Sequence, residues 1–184
     1  MTPQSPLLKS GSVTLRAVTL ADAPDIADGC DDSEMARWTT IPTPYGLEDA
    51  FAYVECRSGS AADADWARWA IETDGRWSGN ISLRSDGDGL AEIGYLVAPW
   101  ARSRGVASQA AWLVCDWGFG VGLTVIAWHA AVGNIASRRV AEKVGFTVSP
   151  GVMRRRMVLR GQRVDIWVGD LLPEDLVARD QILQ

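Results

Sequence analysis

The chain is poor in the residues on which most metal and thiol chemistry depends. It has one histidine, His129, and three cysteines, Cys30, Cys56 and Cys115, far apart and odd in number. No zinc-ligand spacing is present, so no metal is expected. Unpaired thiols suit a reducing cytoplasm better than a disulfide framework. No apolar run reaches the roughly 18 residues of a membrane-spanning helix. The opening "MTPQSPLLKSGSV" lacks the basic region and apolar stretch of a signal peptide. Positive charge is not in excess either: 23 acidic residues face 18 basic ones, a net charge of −5. That argues against a nucleic-acid partner, which needs a basic footprint, and tolerates a cationic substrate. The phosphate loop of nucleoside triphosphatases and the dinucleotide Gly-x-Gly-x-x-Gly are both missing. There is no internal repeat and no low-complexity segment.

What remains is a globular composition. At 184 residues and 47% hydrophobic content, the sequence fits one domain spanning 1–184. Nine tryptophans are available for a core or a pocket. "SVTLRAV" alternates as a strand does, and "TLADAPDIADGC" carries the signals of a short helix. A helical turn in "DDSEMARW", a proline-bearing loop and a helix through Leu47, Phe51 and Val54 follow. "DWARWAIETDG", "RWSGNISLRSDGDG" and "LAEIGYLVAP" read as a three-stranded meander whose Asp-Gly turns favour hairpins. Next come a helix from Gly105 to about Gly118, the strand "LTVIAWHAA" and a helix capped by Asn134 and closed by Gly145. Two strands around "RGQ" end the pattern. This order predicts an α+β (mixed α/β) fold on a largely antiparallel sheet of about seven strands.

The corner "RSRGVA", between a strand stopped by Pro99 and a helix, has the chemistry of an anion site. A helix start leaves N–H groups unpaired and partly positive, and a tight loop gathers them. Gly105 permits close approach of the backbone, Ala107 keeps the first turn thin, and Arg102 and Arg104 add charge.

"EIGYLVAPWARSRGVASQA", followed by "NIASRRVAEKVGF", resembles the GCN5-related N-acetyltransferase (GNAT) superfamily. The branch most similar contains the ribosomal-protein N-terminal acetyltransferases. Arg102, Gly105 and Ala107 match the family's loop pattern, and Asn134, Ser137, Lys143, Gly145 and Phe146 match its second signature. Ser103 and Gln109 depart from it, standing where the branch often has Gly and Glu.

The resemblance implies a three-layer fold with a V-shaped splay in the sheet, and acetyl-CoA as co-substrate. Its diphosphate would rest on Arg102, Ser103, Arg104, Gly105, Val106 and Ala107, and the backbone of Leu96 and Val97 would pair with the pantetheine amides. Asn134, Arg139 and Lys143 complete the coenzyme side, the last two near the 3′-phosphate. The chemistry implied is direct attack by a primary amine on the thioester, with Ser137 serving the departing thiolate. Glu92 is the first candidate for the base, with a pKa expected to be raised by partial burial. Asp165 is the second, either as base or as a contact to a cationic substrate. Trp38, Tyr45 and Asp165 are the expected acceptor contacts. His129 reads as structural and Cys115 as core. The acceptor is a protein N-terminus or a small-molecule amine, and the chain a monomer or homodimer. The competing reading is a coenzyme-binding module without turnover.

Overall fold

The structure, a computed structural model, describes residues 5–59, 67–85 and 87–183. Asp65 and Trp66, which open one expected strand, and Asp86 of an expected turn lie outside them. Nine strands form one sheet: β1 (Leu8–Ser10), β2 (Val13–Arg16), β3 (Ala67–Thr73), β4 (Arg76–Ser85), β5 (Leu90–Val97), β6 (Val125–Ala131), β7 (Thr147–Val148), β8 (Met153–Leu159) and β9 (Gln162–Leu171). The helices are α1 (Ala23–Cys30), α2 (Ser33–Trp38), α3 (Leu47–Gly59), α4 (Val106–Gly120), α5 (Ile135–Val144) and α6 (Arg179–Ile182). The expected count of about seven strands is corrected to nine by β1 and β7, three and two residues long, too short to carry an alternation signal.

The sheet runs β1-β2-β3-β4-β5-β6-β9-β7, with β8 also on β9. Every pairing is antiparallel except β5 with β6. The expected meander is β3–β4–β5, and Asp74 and Gly75 make its first turn in the left-handed region.

Alternation along β3 sends Trp69 and Ile71 to one face and Ala70 to the other, and a separate core covers each face. α4 and α5 close the first core, and α1 and α3 the second. Trp69, Trp77 and Trp128 are fully buried. Removing one indole from water is worth about 5 kcal/mol, taking on the order of 200 Å² at about 25 cal/mol per Å². Three tryptophans therefore anchor the layers on which the site is built.

Candidate active site

The site begins where β5 ends. Pro99–Ala101 form a 3₁₀ turn, Ser103 (φ 58°) and Gly105 (φ 74°) both take the left-handed conformation, and α4 starts at Val106. No side chain among the described residues caps α4. Gln109 N–H bonds back to Gly105 C=O. The N–H groups of Gly105, Val106, Ala107 and Ser108 have no acceptor among the described residues. Two left-handed residues ahead of a bare helix start make a concavity of amide hydrogens, which suits an anion.

The arginines of this corner do something other than expected. Arg102 donates to Asp32 Oδ1 (2.6 Å) and to Val97 C=O (3.1 Å). Asp32 also caps α2 by accepting from Met35 N–H (2.9 Å), so one carboxylate ties the corner to α2. The Arg102 guanidinium holds the Asp32 carboxyl below its ordinary pKa. Arg104 turns outward to Asp74 (3.0 Å) and does not line the cavity beside the corner. The expectation that both arginines serve the corner is thereby corrected for Arg104; Arg102 lines the cavity while Asp32 holds it, beside the backbone amides that the corner presents.

That cavity has a volume of about 540 Å³. Val97, Arg102, Ser103 and Gly105–Ser108 line one side, and Asn134, Ser137, Arg139 and Lys143 of the α5 region line the other. Asn134 Oδ1 caps α5 by accepting from Ser137 N–H (3.2 Å), as the sequence predicts. Arg138 pairs with Glu142 (2.8 Å), which leaves Arg139 and Lys143 as the cations of α5 that reach the cavity. Trp38, expected beside the acceptor, lies on this side instead, with its indole N–H on Glu34 (2.9 Å).

The floor of the cavity is a gap in the sheet. β6 pairs with β5 only from Leu90 to Ile93; beyond that point β5 is held by β4 alone. Ala98 N–H bonds to Ser78 C=O (2.9 Å), which fixes the phase of the β4–β5 ladder. Antiparallel alternation then turns the backbone of Leu96 toward β4 and that of Tyr95 and Val97 toward the gap. Of the expected pair Leu96 and Val97, Val97 turns its backbone to the gap and Leu96 does not; Tyr95 does so in its place. Leu96 reaches the cavity by its side chain.

A second cavity of about 490 Å³ lies on the opposite side of β5. Ile26, Ile41, Pro42, Tyr45, Tyr53 and Leu96 give it apolar walls, and Asp49 is a carboxylate in its lining. Asp49 Oδ2 accepts from Gly46 N–H (2.8 Å) at the start of α3. Tyr45 lines this cavity. The two cavities share Thr39, Tyr95 and Leu96.

A hydroxyl pair stands at this junction. Tyr95 Oη and Ser137 Oγ are 3.0 Å apart, and Trp128 Nε1 donates to Ser137 Oγ (3.1 Å). Burial pushes the Tyr95 phenol up to about 12, so it stays protonated at neutral pH. Tyr95 Oη also donates to Ser137 C=O (3.0 Å); when its proton turns instead to Ser137 Oγ, the Ser137 proton is free to point into the cavity.

Glu92 lines neither cavity. It bonds Arg84 (2.5 Å) and faces His129 Nδ1 (3.3 Å). The His129 hydrogen bond and the charge of Arg84 hold its carboxyl below the usual range, and His129 is raised in return by Glu92. The expected raised pKa is thus corrected: the His129 hydrogen bond and the Arg84 charge outweigh burial. Asp165 also lines neither cavity, and its Oδ1 accepts from Arg155 N–H (2.9 Å) at an irregularity in β8. Asp49 was not singled out in the sequence, where the one available signal, the acidic first turn of α3, looks like ordinary helix capping.

The acetyltransferase (GNAT) domain model matches residues 12–147. YoaA of Bacillus subtilis, an uncharacterized N-acetyltransferase, is 28% identical over 165 residues, which cover 87% of this chain and 93% of YoaA. The fold is similar to that of Mycobacterium smegmatis RimJ in complex with a coenzyme A disulfide, with a TM-score of 0.81 and 22% identity over 97% of this chain and 92% of RimJ. It is also similar to RimL, a ribosomal L7/L12 alpha-N-protein acetyltransferase in complex with coenzyme A, with a TM-score of 0.76 and 19% identity over 91% of this chain and 98% of RimL. With the family model covering most of its length, and with the loop and helix signatures lining one cavity, the chain belongs to the GNAT acetyltransferase family.

Proposed function

We propose that the chain is a single-domain, cytoplasmic N-acetyltransferase that moves an acetyl group from acetyl-CoA to a primary amine. The amine is a protein N-terminus or a small molecule. The observation that carries this reading is the meeting of two cavities at Thr39, Tyr95 and Leu96, with the Ser137 hydroxyl beside them. The residues fit acetyl-CoA: unpaired amides at Gly105–Ser108 await a diphosphate, Arg139 and Lys143 add charge, and the gap beside β5 exposes backbone polar groups. Acetyl-CoA supplies the acyl thioester.

The chain's own groups handle position and protons. The backbone of Tyr95 and Val97 aligns the donor along the gap. The amine enters through the second cavity, where the Asp49 carboxylate attracts its ammonium form. Water in that cavity carries one proton of the ammonium to Asp49, which frees the amine lone pair. As the C–N bond forms and the C–S bond breaks, the nitrogen sheds its second proton to the same water, and the thiolate accepts a hydrogen bond from the Ser137 hydroxyl and takes its proton from solvent. Glu92 and Asp165, the candidates read from the sequence, stand outside both cavities and are assigned framework roles.

Calorimetry with acetyl-CoA, joined to thiol release across a panel of amines and free-amine peptides, tests the proposal. Binding with release supports it. Binding without release for every amine would instead favour a module that lacks turnover. No binding at all would overturn the whole reading.

A further inference from the structure

The chain is acidic overall, yet five of its 18 basic residues, Arg154, Arg155, Arg156, Arg160 and Arg163, fall within ten positions of the β8–β9 hairpin. All five are exposed. None is ion-paired with a carboxylate among the described residues. Asp165, the acid nearest in sequence, accepts from the backbone N–H of Arg155 rather than from a guanidinium. Like charges crowded on one hairpin repel each other, and the fold leaves them without counter-charge. Elsewhere six arginines, Arg16, Arg76, Arg84, Arg102, Arg104 and Arg138, hold carboxylates.

The hairpin sits at the acceptor rim. Arg160 at its turn donates to the carbonyls of Ala36 and Ile41 (2.8 Å for Ile41) and to Thr43 Oγ1 (3.2 Å). Thr40, Ile41 and Pro42 of that loop line the second cavity. A chain whose free amine lies in this cavity and whose next residues pass over the loop would meet the arginines of β8.

We propose that the β8–β9 hairpin is a docking surface for acidic peptide, so that the preferred acceptor is a polypeptide N-terminus followed by Asp- or Glu-rich sequence. This rests on the reading of the second cavity as the acceptor site. Guanidinium forks match carboxylates bidentately, and an unpaired basic patch steers an acidic partner toward the cleft.

The test uses two fluorescein-labelled peptides with the same free amino terminus, one rich in glutamate after its second residue and one with glutamine in those places. Fluorescence anisotropy with the full chain reads binding whether or not turnover occurs. The glutamate peptide should bind about tenfold more tightly at about 0.05 M salt, and the difference should shrink at about 0.5 M, where charges are screened within about 4 Å. The Arg154→Glu/Arg156→Glu variant should lose the preference while its affinity for coenzyme A is unchanged. Equal binding of the two peptides, or a preference that survives the double reversal, overturns the proposal and leaves the arginines as guards of the exposed β8 edge. Tighter binding of an RNA oligonucleotide than of the glutamate peptide also overturns it. Failure here with thiol release intact for neutral peptides rejects the docking surface alone, whereas absence of coenzyme binding rejects the enzyme reading.

Discussion

Ser137 carries two duties on one residue: its N–H is held by the Asn134 cap and its hydroxyl lies between Tyr95 and Trp128. Removing the hydroxyl leaves the cap in place, because the cap uses the backbone. Ser137→Ala is therefore expected to lower kcat about 10²-fold with little change in the KM for acetyl-CoA, measured by steady-state thiol release. A rise in KM at constant kcat would make the hydroxyl a binding group instead. Glu92 and His129 allow a second test at this scale. Glu92 titrates below its unfolded value of about 4.3, so its contribution is present above that value and lost as pH falls through the folded pKa. His129 titrates above its unfolded value of about 6.5, so its contribution is complete below that value and lost as pH rises through the folded pKa. The pair is strongest between these limits. The stability lost in Glu92→Gln, from urea titrations, should be larger at about pH 5.5 than at about pH 8.5. Arg84 keeps part of that loss at both values.

At the scale of elements, two left-handed glycines make opposite demands. Gly105 opens α4, and a Cβ there meets only Gln109 Nε2 at 3.7 Å, so Gly105→Ala costs backbone strain alone, about 1–2 kcal/mol. Gly145 closes α5, and a Cβ there would stand 2.2 Å from Asp175 C=O, a backbone atom that cannot step aside. Gly145→Ala should lower the urea midpoint more than Gly105→Ala, while Gly105→Ala should weaken coenzyme binding more. Calorimetry and denaturation together check the crossing of these effects. Both glycines were legible in the sequence because capping is local: Asn134 and Gly145 bracket a helical period, and Gly105 precedes one. The partners of Arg102 and Glu92 were not legible. Asp32 lies 70 residues from Arg102, and His129 stands on a strand that neighbours β5 only through the parallel crossover. Spacing along the chain reports which residues share a face. It does not report which charge will be neutralised from across the sheet. Glu92 therefore looked like a half-buried carboxylate of raised pKa, although Arg84 and His129 flank it.

For the whole molecule, a ligand that binds only the folded state adds its binding free energy to stability. Coenzyme A at about 100 times its Kd should stabilise the chain by about 2.7 kcal/mol. For a chain of this size that is a rise in melting temperature of about 5–10 °C by scanning calorimetry. The Ser137→Ala variant should show the same rise, and Gly105→Ala a smaller one.

The parallel seam between β5 and β6 is four residue pairs long. The sheet therefore resembles two leaves bound along part of a spine, and the open part is the proposed entry of the donor. Lengthening the binding would stiffen the leaves against heat, but the added rungs would occupy the slot itself. Thermal robustness and room for the donor thus draw on the same few backbone groups, and a hardier version of this protein has to find its strength elsewhere than in that spine.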